Sequence, residues 1–142
     1  MKKRIGYVEL NINGEIIPVK FGIYALELFC KEYDVKIQDI TSIFEATDKG
    51  TLPKDIIKFL AIAIRSGANY GAEIAGKGEN YYSKFQVYEW LSEIGLNSEE
   101  SSRIIFAFIK AIMNGGTFIE KQEEESEEPE KETKKKAMSS KT

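Results

Sequence analysis

Residues 11–26, NINGEIIPVKFGIYAL, decide the fold. Asn13-Gly14 supplies the two positive-φ positions of a type I′ turn, and the flanking segments IGYVELNI and EIIPVKF alternate in polarity. A two-residue turn pairs Ile12 with Glu15, Leu10 with Ile17 and Val8 with Val19. Side chains alternate with period two, so Val8, Leu10, Ile12, Ile17 and Val19 form one apolar face, while Tyr7, Glu9, Asn11 and Lys20 face away. Pro18 falls opposite Glu9 at a non-hydrogen-bonded pair. It therefore costs the hairpin no ladder bond and spoils its own outer edge for further pairing. The edge carrying residues 7–12 is then the one open to a partner strand or to self-association, with Tyr7, Glu9 and Asn11 as candidate contact residues. A lone two-stranded ribbon is marginal in water, so its apolar face must lie on the helices that follow.

After Gly22, IYALELFCKEYD reads as a helix, with Leu26, Cys30 and Tyr33 at helical spacing and Ile23, Ala25 and Phe29 broadening the buried side. A short helix is expected over DITSIFEAT, carrying Ile40, Ile43 and Phe44, and DKGTLP then breaks the chain. Pro53 suits the first turn of a third helix running to about Arg65, with Asp55 favourable near its positive end. That helix is apolar on nearly all sides, which places it at the centre of the core. Residues 66–80, SGANYGAEIAGKGEN, hold four glycines and little periodicity and read as a long loop. Ser83 with Gln86 makes a capping-box pattern ahead of KFQVYEWLSEI, and Gly95 suits the end of that helix. Asn97 with Glu100 repeats the capping signal for SEESSRIIFAFIKAIM. Ile104, Ile105, Phe108 and Ile112 line its broad face, and Asn114-Gly115-Gly116 stops it.

The fold class expected is α+β and mainly α-helical: an N-terminal β-hairpin packed on a bundle of about five helices, spanning residues 1–119. The sequence then changes character. Residues 120–132 hold eight acidic residues against two lysines, and 133–142 hold four lysines and no acid. No apolar set there can support ordering, so a disordered acidic-then-basic tail is expected. Of the chain's 20 basic and 23 acidic residues, the first 119 keep 14 and 15, a nearly neutral body.

A net charge of −3 and a pI near 5.2 argue against bulk electrostatic binding of nucleic acid. The chain has no histidine, which removes Ser-His and Cys-His nucleophile pairs, an imidazole proton shuttle and histidine-based zinc sites. The single cysteine, Cys30, among Leu26, Leu28, Phe29 and Tyr33, reads as a small buried hydrophobe. One cysteine and no secretory signal point to a reducing cytoplasm. The longest dense apolar stretch, IIKFLAIAI at 56–64, is too short to span a bilayer.

Three groups of residues invite a site. Gly71, Gly76 and Lys77 have the spacing of a phosphate-binding loop, but Gly78 replaces the Ser or Thr that would hold magnesium, and no buried strand precedes them; a surface loop is the better reading. Glu89 and Glu93 lie four apart on one helix, and without a third acid or a histidine they read as a solvated polar face. Tyr70, Tyr81, Tyr82, Phe85, Tyr88 and Trp90 gather around the glycine-rich stretch and the helix after it. Such rings fill cores or anchor protein interfaces. Phe85 and Trp90 are assigned to the core; Tyr70, Tyr81 and Tyr82 are candidate partner-binding residues. Stacking of single-stranded bases would need a basic groove, and only Lys77 and Lys84 are near.

The segments NGEIIPVKFGIYALELFCKEYDV, AIAIRSGANYGAE and YEWLSEIG, in that order, resemble the small tail assembly chaperones of long-tailed, siphovirus-like bacteriophages, over about residues 7–113. The resemblance implies a non-enzymatic assembly factor of largely helical fold in the host bacterial cytoplasm. It would coat the tape-measure protein, bring tail-tube subunits to it and be absent from the finished virion. It implies no catalytic residues, no cofactor, no metal and no nucleic-acid, membrane or small-molecule partner. In many such phages a ribosomal frameshift near the end of the gene appends a second domain to a minority of copies, and the acidic linker with KETKKKAMSSKT suits that arrangement. A stable subunit retained in the virion, such as a head–tail connector or tail-completion protein, would share the size and the absence of chemistry. Presence in purified particles separates the two.

Overall fold

A computed structural model describes residues 6–115. The boundary expected at residue 119 and the tail at 120–142 lie outside the described residues. Strands β1 (Tyr7–Ile12) and β2 (Glu15–Lys20) pair antiparallel in the expected register, from Tyr7 opposite Lys20 to Ile12 opposite Glu15. Asn13 (φ 52°) and Gly14 (φ 90°) take the left-handed conformations of the turn, and the Asn11 side-chain oxygen accepts the Gly14 N–H at 2.8 Å. Leu10, Ile12, Ile17 and Val19 are buried, so the alternation reads directly as an inward face.

Helix α1 (Ile23–Tyr33) follows Gly22 and ends on Asp34 in the left-handed region, whose N–H bonds back to the Cys30 carbonyl. The expected short helix over DITSIFEAT is only half present. A 3-10 helix covers Ile37–Ile43, and the chain then forms a second antiparallel hairpin, β3 (Phe44–Thr47) with β4 (Gly50–Pro53). Gly50 supplies the positive φ (110°) after Asp48-Lys49, and the Thr47 hydroxyl both donates to the Gly50 carbonyl and accepts from the Lys49 N–H. DKG therefore reverses a hairpin instead of breaking the chain. Pro53 closes β4, and the helix after it begins one residue past its cap, Asp55, whose carboxylate accepts from the Lys58 N–H at 3.2 Å.

That helix, α2 (Ile56–Ile74), is the largest correction to the sequence reading, since it continues through most of the stretch expected to be a loop. The reason is tertiary. Gly67 and Gly71 lie on its hairpin-facing side, where a Cβ at Gly67 would sit 2.5 Å from Val19 Cγ1 and one at Gly71 3.0 Å from the Pro18 carbonyl oxygen. The glycines allow a close approach of helix to strand, and that packing outweighs their poor helix propensity.

Helix α3 (Lys84–Ile94) carries both halves of the expected capping box: the Gln86 N–H donates to Ser83 Oγ, and the Gln86 side chain accepts from the Ser83 N–H. Ser83→Ala should lower stability by about 1 kcal/mol, read as a shift of the denaturation midpoint with unchanged slope. Helix α4 (Glu99–Gly115) is capped by Ser98, not Asn97: Ser98 Oγ accepts the Ser101 N–H at 3.1 Å. One core joins these elements. Phe21, Phe29, Phe44 and Phe59 come from four different segments and meet around Phe108 of α4, with ring centroids 4.7–6.2 Å from it.

Candidate protein-contact surface

The six candidate residues separate into three places. On β1, Tyr7 donates its hydroxyl to Glu9 Oε2 at 3.0 Å; partial burial first, and the Glu9 carboxylate second, push its ionisation up. Glu9 and Asn11 sit at non-hydrogen-bonded pairs with β2, so their backbone groups point outward. The outward groups are nevertheless engaged. The Asn11 N–H donates to Glu100 Oε1 at 3.3 Å, and Arg103 Nη2 donates to the Glu9 carbonyl at 2.9 Å. The expectation of an open edge on residues 7–12 is corrected at these two positions, because α4 brings two charged side chains onto it.

Tyr70 is half-buried, packed edge-on against Tyr24 at 5.3 Å, with Lys20 Nζ 5.9 Å from its ring centre. The Tyr24 hydroxyl hydrogen-bonds Glu73 and lies near Glu79 and Glu27; that bond first, then burial and the carboxylate charges, raise its pKa.

The third place is the junction of α2 and α3. Tyr82 is buried, which removes it from any surface role. Its N–H donates to Asn69 Oδ1 at 2.7 Å, and its carbonyl accepts from Asn69 Nδ2 at 3.2 Å and Arg65 Nε at 3.0 Å. Arg65 is held in turn by Glu32 at 3.1 Å. Asn69, itself buried, thus reads the Tyr82 peptide as a neighbouring strand would. Sequence reasoning missed Asn69 and Arg65. The signal was a lone amide one helical turn after an arginine, following the apolar run FLAIAI.

Outward from this anchor the rings step from Trp90 to Tyr82 to Tyr81, each pair 4.9 Å apart and edge-to-face. Tyr81 is 49% exposed, with Lys77 Nζ 5.3 Å from its ring centre. Phe85, expected in the core, is 74% exposed. Val87, Trp90 and Leu91 fix the inward face of α3, and a residue two before Val87 projects from the far side. Tyr88, three residues after Phe85, shares that outward face and is also exposed. The exposed rings are thus Tyr81 beside the clamped Tyr82 peptide and Phe85 and Tyr88 on the outward face of the capped helix α3.

Two of the residues weighed for chemistry, Glu93 and Gly71, take part in the packing of the fold. Glu93 accepts from Asn13 Nδ2 at 2.7 Å and pins the hairpin turn to α3. Gly71 lies inside α2, so the phosphate-loop spacing falls partly on a helix. Burial raises the pKa of the half-buried Cys30 thiol, which weakens it as a nucleophile. Among the described residues no group of three or more His, Cys, Asp or Glu could hold a metal ion, and no helix is long and apolar enough to cross a membrane. Compared with known proteins, the chain matches no family model, no curated protein and no solved structure.

Proposed function

We propose that this protein is a non-enzymatic assembly factor, and that it acts in the host bacterial cytoplasm as a phage tail assembly chaperone, binding the tape-measure protein and recruiting tail-tube subunits to it. The observation that carries the contact role is the exposure of three aromatics, Tyr81 beside the Asn69-clamped Tyr82 peptide and Phe85 and Tyr88 on the outward face of α3. Exposed aromatic rings supply large contact area at low entropic cost, and two of them at helical spacing fit the apolar stripe of a partner helix. The tail-assembly identity rests on the resemblance of the sequence segments, and the contact surface supports it by giving such a chaperone a place to bind.

Co-purification with the products of the neighbouring genes tests the reading. Recovery of a very long helical protein or a tube protein is expected, with the chain missing from mature particles; its presence in particles would make it a structural subunit instead. Phe85→Ala/Tyr88→Ala should weaken capture of the long helical partner by more than about tenfold while leaving the thermal midpoint within a degree or two, because neither ring enters the core. Undiminished capture by this variant would move the contact surface elsewhere.

A further inference from the structure

The Glu100–Arg103 pair stands on β1 in an arrangement that a second strand would otherwise occupy. Glu100 offers an acceptor to the Asn11 N–H, Arg103 offers a donor to the Glu9 carbonyl, and the two side chains bond each other at 2.9 Å. The opposite edge of the ribbon is unfit for pairing, since Pro18 has no N–H and α2 closes over it at Gly71. Pairing can therefore grow from the hairpin only on the side that the pair covers.

The two groups it covers are complementary to each other. In an antiparallel register centred on Leu10, Glu9 of one copy lies opposite Asn11 of the other. The Asn11 N–H of each copy then meets the Glu9 carbonyl of its mate, and both pairs of outward groups are satisfied by a two-fold operation. Each Glu9 side chain also faces an amide across the strands instead of its own charge. Arg103 and Glu100 replace the two backbone groups that the second copy would bring.

We propose that the Glu100–Arg103 pair is a removable guard on a self-pairing strand edge, and that the occupant admitted when it swings away is β1 of a second copy of this chain. The guard is weakly held: the Arg103 side chain is 45% exposed and that of Glu100 26%, and an ion pair so placed is screened by salt. Strand edges left bare invite association, and charged side chains laid on them suppress it. The device would keep the protein apart until a partner or a rise in local concentration draws the guard off. It stands independently of the tail-assembly reading, because its readout is the mass of the protein alone.

Sedimentation equilibrium of the full chain tests the proposal. Glu100→Ala/Arg103→Ala should tighten self-association by at least about tenfold relative to the unsubstituted protein, and adding Glu9→Pro should abolish that gain. Proline at Glu9 costs no bond to β2, because its N–H points outward. Arg103→Met, which keeps the stem and the first-turn carboxylate of α4, serves where the double variant loses helical content, and it should shift association in the same direction. Unchanged association in the folded guard variants, or a gain that survives Glu9→Pro, would overturn the proposal.

Discussion

Phe108→Ala is expected to cost the domain about 3–5 kcal/mol. The ring is fully buried, and the four rings around it belong to the end of the first hairpin, to α1, to the start of β3 and to α2. A cavity walled by so many separate segments cannot close by one side chain turning inward, so little of the cavity cost is recovered by relaxation. Against a total stability of about 5–15 kcal/mol for a domain of this kind, the loss is a large fraction, and the thermal midpoint should fall by on the order of 20 °C. Phe106→Ala is the internal control. Two residues earlier on the same helix, Phe106 is exposed, and its loss should stay within about 0.5 kcal/mol. Equal losses for the two variants, measured by urea denaturation, would show that α4 is not seated as described.

The contrast between those two phenylalanines also shows what a sequence can and cannot disclose here. The first hairpin was legible because turn chemistry, alternation and the placement of Pro18 agree independently on one register. The second was not, because Asp48-Lys49 needs no positive φ and only Gly50 betrays the turn. On α3 the outcome hangs on phase. Once Ser83 is fixed as the cap and Trp90 as an inward residue, Phe85 must project outward, but composition alone makes a phenylalanine look like core. Tyr81 and Tyr82 are neighbours of one type, and what separates surface from interior is the pair of bonds that Asn69 makes to the second of them. The contacts on β1 join residues 89 and 94 positions apart, a separation no local pattern reports. The exposed aromatics were therefore visible as an excess of aromatics near one segment, whereas the clamped Tyr82 peptide and the side chains laid on β1 arise only from tertiary packing.

Gly67→Leu is expected to be the second severe substitution, and it tests why the C-terminal half of α2 is helical at all. At an exposed helical site, replacing glycine by alanine would gain about 1 kcal/mol of helix propensity. At Gly67 the added Cβ lies 2.5 Å from Val19 Cγ1 and 2.9 Å from Phe21 Cε1, both on buried side chains. Val19 is β-branched and held in a paired strand, and Phe21 is locked edge-on against Phe108, so neither can turn aside cheaply. Overpacking of this kind costs about 1–3 kcal/mol, which offsets the propensity gain for Gly67→Ala and leaves it neutral to destabilising. Leucine adds three further carbons in the same direction, and its cost should reach about 3 kcal/mol or more, mainly by lifting the hairpin from α2. Gly71→Ala is the graded comparison: its Cβ would meet the Pro18 carbonyl oxygen at 3.0 Å, a tight contact with backbone that a shift of a few tenths of an ångström relieves, so its loss should be smaller. An order of loss with Gly67→Leu above Gly71→Ala in thermal denaturation is the expected result. Full stability of Gly67→Leu would mean that the helix and β2 do not approach so closely. The two glycines would then revert to the helix-breaking role that their composition suggests, and the hairpin would lose its close seat on α2.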